Sequence, residues 1–162
     1  MDSDDNVNRI HHLSVSSNTI DTITLNQDGT WLALGSASLG QILVWEWESE
    51  TYVLKQQGHA SSNSVTSLCY NADATTLVTG GTSGKIKLWQ TRTGFCYCTF
   101  SQHTSSINAL QYIASSNCVL SASSDGTSSV CVLISHLSRK TSNEHQVPFV
   151  RLTCFAIETF VQ

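Results

Sequence analysis

Residues 40–59 read GQILVWEWESETYVLKQQGH. A glycine opens the stretch, and the apolar run Ile42-Leu43-Val44-Trp45 follows at once. Polar residues then interrupt at Glu46, Glu48, Ser49, Glu50 and Thr51, before a second short run at Tyr52-Val53-Leu54 and a close on Gly58-His59. Short apolar runs bounded by turn residues suit strands buried on both faces, and the β-branched and aromatic content points the same way. The polar residues between the runs are the right length for a hairpin loop.

Outward from this stretch the chain repeats itself. Ile20, Ile23 and Leu25 recur as Val65, Leu68 and Tyr70, and again as Ile107, Leu110 and Tyr112. Asn26 recurs as Asn71, Gly35 as Gly80 and Ala122, and Gly40 as Gly84 and Gly126. Trp45 matches Trp89 and, less well, Cys131. A period of about 40–45 residues, with four strand-like segments per unit, is that of a propeller blade rather than of a helical or leucine-rich repeat. The expected fold is all-β: three four-stranded blades over 10–57, 58–101 and 102–131, behind a disordered tail at 1–9. The third unit loses its pattern after Asp125-Gly126-Thr127. An irregular segment is expected over 132–147, and 148–162 is expected to open a further blade. Three units and a stub cannot close a ring, so the sequence reads as part of a longer chain.

Bulk composition narrows the function. The chain has 162 residues and a formal charge of −4, which gives no basic footprint of the kind a free-standing nucleic-acid domain carries. Charged residues make up only 12%, and Ser, Thr and Asn take their place, which fits many turns. Cys69, Cys96, Cys98, Cys118, Cys131 and Cys154 show no zinc spacing, and Cys96 and Cys98 are two apart on a strand, where they pack as small hydrophobes. The acidic start MDSDDNVNR has no apolar centre, and no apolar run approaches the roughly 18 residues of a membrane span. An intracellular, reduced protein is the expectation.

No residue constellation of an enzyme is present. His11 and His12 are adjacent and would point to opposite faces of a strand, and Glu46, Glu48 and Glu50 read as a solvated loop. Gly80-Gly81 lacks the Lys-Ser/Thr that would follow in a P-loop. Lys85, Lys87 and Arg92 form the one compact basic group, and they are candidate contacts for a partner or RNA. Trp47, beyond the end of its strand, is a further candidate; Trp45 and Trp89 read as packing between blades.

Gly58-His59 followed thirty residues later by Trp89 resembles the frame of the WD-repeat family, with Gln90 where the family has Asp. The resemblance runs well over residues 10–127, and VWEWESETYVLKQQGH, VTGGTSGKIKLW and TGFCYCTFSQH are similar to long WD-repeat subunits of the Utp-B subcomplex of the nucleolar small-subunit processome. It implies a non-enzymatic scaffold in pre-rRNA processing and small-subunit assembly, acting beside other WD-repeat proteins, pre-rRNA and small nucleolar RNA, in the nucleus and nucleolus. It implies no cofactor, no membrane and no small-molecule substrate. A generic WD-repeat adaptor, such as a ubiquitin-ligase substrate receptor or a trafficking coat component, is the alternative. The family's hydrogen-bonded network, carried over, falls on His59 and Trp89 with Gly81 and Ser83 at the Ser and Asp positions, and on His103, Ser123 and Asp125 in the third unit without a Trp.

Overall fold

The computed structural model describes residues 14, 19–36, 38, 40–59, 64–135 and 150–157, the backbone alone for 134–135 and 150–157. The tail at 1–9, residues 10–13 and 15–18 at the start of the first expected blade, and residues 136–149 lie outside these. The described residues form twelve strands in three antiparallel four-stranded meanders. The first sheet is β1 (Thr22–Leu25), β2 (Trp31–Gly35), β3 (Gln41–Glu46) and β4 (Thr51–Gln57). In the second are β5 (Val65–Tyr70), β6 (Thr76–Gly81), β7 (Ile86–Gln90) and β8 (Cys96–Phe100). The third holds β9 (Ile107–Ile113), a single 3-10 turn (Ala114–Ser116), β10 (Cys118–Ser123), β11 (Ser128–Ser135) and β12 (Val150–Ile157).

Successive side chains on a strand point to opposite faces, so each sheet offers one set of residues backward and another forward. Ala33, Ile42, Val44 and Leu54 of the first sheet pack on Val65, Leu68, Tyr70, Leu77 and Trp89 of the second. The other face of the second sheet carries Cys69, Val78, Ile86, Leu88 and Phe100, which meet Ile107, Val119, Cys131 and Leu133 of the third. All six residues of β6 are buried because its sheet is covered on both sides. The backward face of the first sheet is more open, with Ile23 62%, Leu25 55% and Tyr52 45% exposed.

Small residues at one repeated position let the sheets approach. A Cβ on Gly35 would stand 2.8 Å from Val65 Cγ1, and one on Gly80 would stand 2.6 Å from Ile107 Cγ2. Each glycine is thus the recess into which the next sheet's leading β-branched residue fits. The repeated asparagine has an equally local cause. Asn26 Oδ1 accepts from the Trp31 amide and Asn71 Oδ1 from the Thr76 amide, each at 2.9 Å. The side-chain amides of the two residues donate to Thr30 and Thr75, so one clamp closes the first hairpin of each of the first two sheets. The 3-10 turn ending at a left-handed Asn117 replaces it in the third.

Two expectations about the third unit need correction. There is no break after Cys131: β11 runs unbroken from Ser128 to Ser135, with Ser129, Cys131 and Leu133 buried and Val130 and Val132 half-buried. That is period-two alternation written in small side chains, which an apolar-run criterion passes over. Val150–Ile157 does not open a further blade but pairs with β11 over its whole length, from Ser128↔Ile157 to Ser135↔Val150, as the fourth strand of the third sheet.

Candidate functional site

Two groups of buried polar side chains converge on a histidine, and both are structural networks. In the second sheet, Trp89 Nε1 donates to Thr79 Oγ1 at 2.9 Å, and His59 Nε2 lies 3.0 Å from the same oxygen. Thr79 is fully buried and His59 is 2% exposed. Burial, and then the nearby positive charges of Lys87 and Lys85, depress the His59 pKa to about 4, so the ring is neutral at pH 7. The hydroxyl comes from Thr79, not from the position of Gly81. Gly81 makes room instead: a Cβ there would stand 2.6 Å from His59 Nδ1. Ser83, at the turn position where the third unit has Asp125, has a buried hydroxyl without a partner.

The third sheet builds a fuller version. His103 Nε2 lies 2.8 Å from Ser121 Oγ, while Nδ1 lies 2.9 Å from Thr127 Oγ1 and 3.2 Å from Asp125 Oδ2. The Asp125 carboxylate also accepts from the Thr104 amide at 2.8 Å and from the Thr127 amide at 2.9 Å. The Thr127 hydroxyl contributes most, and with the two amides and His103 it holds Asp125 well below the usual carboxylate range. Ser121, not Ser123, faces His103; Ser123 Oγ turns to the Ser105 carbonyl and caps the turn by accepting from the Asp125 amide. Cys131 pairs with Val119 as Trp89 pairs with Leu77, so a thiol occupies the indole's place. In the first sheet Trp45 holds that place beside Leu32, and Leu34 stands where Thr79 does. Its indole nitrogen is therefore buried without a partner, while its ring packs edge-on against Tyr52 at 4.5 Å.

Sequence pattern placed the histidines and tryptophans but set the hydroxyl two residues late in both networks. Residues two apart share a face, so either serine-position assignment looks alike in a single strand. The pairing partner of the tryptophan decides it: Leu77 faces Trp89 across the ladder, and the next residue on that face is Thr79.

The proposed basic group does not hold together. Lys85 and Lys87 lie at one end of β7, and Arg92 lies beyond the other end, separated by about 17 Å of strand. Lys87 Nζ donates to the Gly58 carbonyl at 2.9 Å and sits 5.4 Å from the Trp89 ring centre, which ties it to the blade. Arg92 lies 5.2 Å over Trp31 and joins the second sheet to the first. Lys85 is exposed. Trp47 donates to the Gly29 carbonyl at 2.6 Å and locks the β3–β4 turn to the β1–β2 turn. Among the described residues no group of three or more His, Cys, Asp or Glu could hold a metal ion, and no helix is long and apolar enough to cross a membrane.

Clefts open among the described residues at the end of the molecule opposite Lys85. The one between the second and third sheets has a volume of about 350 Å³ and is lined by residues including Asn71, Asp73, Thr75, Tyr97, Tyr112 and Asn117. Asn71 and Tyr112 stood out in the sequence only as repeat positions and none of the six as a site residue, because the cleft is made by two different repeats.

The WD domain, G-beta repeat family matches residues 50–90 and 94–130. The chain is 48% identical over 122 residues, 74% of its length, to "Periodic tryptophan protein 2 homolog" of Dictyostelium discoideum, and 45% identical over 118 residues to "Periodic tryptophan protein 2" of Arabidopsis thaliana. It spans about 13% of the length of each of these curated relatives. Its fold is similar, at a TM-score of 0.67 and 15% identity, to the crystal structure of the Myceliophteria thermophila Cps50 (Swd1) beta-propeller domain, over 88% of this chain and 40% of that one. The three repeated meanders, the His–Thr/Ser networks inside them and these relatives make the chain a member of the WD40-repeat family.

Proposed function

We propose that the chain forms part of a non-catalytic WD-repeat scaffold in small-subunit ribosome biogenesis. Its partners are other WD-repeat proteins of the Utp-B subcomplex, with pre-rRNA and small nucleolar RNA contacted directly or through that complex, in the nucleolus. The observation that carries this reading is the 48% identity to the Dictyostelium relative over 74% of the chain. That identity extends far beyond the Gly-His and Trp anchors that any WD repeat shares. A scaffold is also what the buried histidines favour, since His59 and His103 are spent on holding strands together rather than on reaching a substrate.

The test is affinity purification of the tagged full-length protein that carries this segment, from growing cells. Pre-rRNA and processome subunits are the expected co-purifying species. Recovery of cullin-linked or vesicle-coat proteins in their place refutes the reading and favours a generic adaptor.

A further inference from the structure

The carboxylates of the described residues are concentrated at one end, with Asp21 and Asp125 at the other. The β1–β2 and β5–β6 turns carry Asp28 and Asp73, and the end of β3 with the turn after it carries Glu46, Glu48 and Glu50, against the cations Arg92 in the β7–β8 turn, Lys55, whose Nζ stands 5.5 Å from the Tyr52 ring centre, and Arg151 on β12. These turns share one end of the molecule: Trp47 bonds Gly29 and Trp31 Nε1 donates to Glu46, while the clefts join the Asn71–Thr75 turn to both neighbouring sheets. Lys85 and Lys87 lie at the other end. An end with this balance repels a phosphate backbone and attracts a basic polypeptide.

The chemistry of the cleft between the second and third sheets is more specific. Its side-chain donors are engaged within the protein. Tyr112 Oη donates to Asn117 Oδ1 at 2.5 Å, Asn117 Nδ2 to the Leu133 carbonyl, and Asn71 Nδ2 to Thr75 Oγ1. Thr75 in turn donates to Asp73 Oδ1 at 2.7 Å, and the Thr76 and Tyr97 hydroxyls share one bond at 2.9 Å. What this lining has to offer a ligand is acceptor capacity: a carboxylate and phenol oxygens with lone pairs to spare. Burial raises the pKa of Tyr112, with the Asp73 charge next, and burial raises that of Tyr97, where the Thr76 hydrogen bond opposes it and Cys98 and then Asp73 add to it. The adjoining cleft shares Asn71, Ala72 and Tyr112 with this one and is lined by Tyr70, which is 8% exposed and whose hydroxyl is buried without a partner.

We propose that this end of the molecule docks a basic protein segment, with an arginine side chain of the partner seated in the cleft lined by Asp73, Tyr97 and Tyr112. A guanidinium brings five donors and no acceptor, which matches a lining rich in acceptors, and its planar fork suits recognition beside a carboxylate and aromatic rings better than an ammonium does. At about 350 Å³ the cleft is at the small end of ligand sites and has room for an arginine side chain. The inference requires nothing of the ribosome-biogenesis reading.

The experiment uses the 162-residue chain labelled with ring-13C tyrosine, whose four tyrosines report separately. The peptide Ac-Gly-Arg-Gly-Arg-Gly-NH2 is titrated beside its citrulline and lysine counterparts and a single-stranded oligouridine. The arginine peptide is expected to shift Tyr97 and Tyr112 and leave Tyr52 unmoved, to bind at least tenfold tighter than the citrulline peptide, and to lose about tenfold with Asp73→Asn, which keeps the turn's hydrogen-bonding shape. Equal binding of arginine and citrulline, an Asp73→Asn variant that binds as well as the parent, or oligouridine moving the same two tyrosines overturns the proposal. So does an arginine peptide that shifts none of them.

Discussion

Thr79→Val tests the polar network of the second sheet in the most direct way. Valine keeps the shape of threonine and removes the one oxygen on which Trp89 Nε1 and His59 Nε2 converge, at 2.9 and 3.0 Å. Thr79 is fully buried, so no water replaces it. Leaving a buried polar group unsatisfied costs about 1–3 kcal/mol, and two groups are orphaned at once, so the expected loss is about 2–5 kcal/mol. With a urea dependence of about 2 kcal/mol/M, the unfolding midpoint falls by about 1–2.5 M. Thr79→Ser is the control: it keeps the hydroxyl and gives up one buried methyl, about 1 kcal/mol. Equilibrium urea unfolding followed by tryptophan fluorescence gives both midpoints. If the valine variant unfolds at or above the serine variant, the hydroxyl is not what holds the pair and the reasoning fails.

Because the His59 pKa is about 4 when folded and near its ordinary 6.5 when unfolded, the unfolded chain binds the extra proton first. Stability is then intact above about pH 6.5 and falls by up to about 3 kcal/mol as the pH drops from there towards 4, a slope that His59→Gln flattens in urea midpoints taken across that range. Lys87→Met removes a positive neighbour and raises the His59 pKa, read by NMR titration of the ring, and an unmoved pKa would contradict the assignment of cause. Gly84→Ala and Gly126→Ala separate backbone conformation from crowding. Both glycines have positive φ, but a Cβ on Gly84 would stand 2.3 Å from the His103 carbonyl oxygen, whereas one on Gly126 meets nothing within 4 Å. Gly126→Ala should cost about 1–2 kcal/mol and Gly84→Ala at least twice that in thermal or urea unfolding. A double-mutant cycle on Trp31 and Arg92 should return a coupling of about 0.5–1 kcal/mol, and a value near zero would remove the cation–π contact as a tie between the first two sheets.

Much of the fold was legible because the repeat is written in residues with single-purpose geometry. Asn26 and Asn71 each close a hairpin, and Gly35 and Gly80 each leave space for a neighbouring sheet, so the period survives variation elsewhere. The third sheet was harder to read because Cys131 fills the buried position that Trp89 fills in the second, and a buried Ser129 stands where the second has Lys87. Burial there depends on a tight neighbour rather than on side-chain size. Lys85, Lys87 and Arg92 looked like one group because sequence distance ignores the length of an extended strand. The cleft around Asp73, Tyr97 and Tyr112 could not be read, since its walls are 39 residues apart between Asp73 and Tyr112 and meet only when two sheets pack.

Gly35 and Gly80 also act as an angular gauge. How deeply Val65 and Ile107 sink at those points fixes how far one sheet is rotated from the next at the narrow edge of the wedge, and the summed rotation determines how many wedges complete a circle. The third sheet carries Ala122 at the equivalent register, one methyl shallower. Whatever sheet seats against it must lead with a slimmer side chain or open the wedge by a few degrees, so the number of units in the circle is written partly in the smallest residues of the chain.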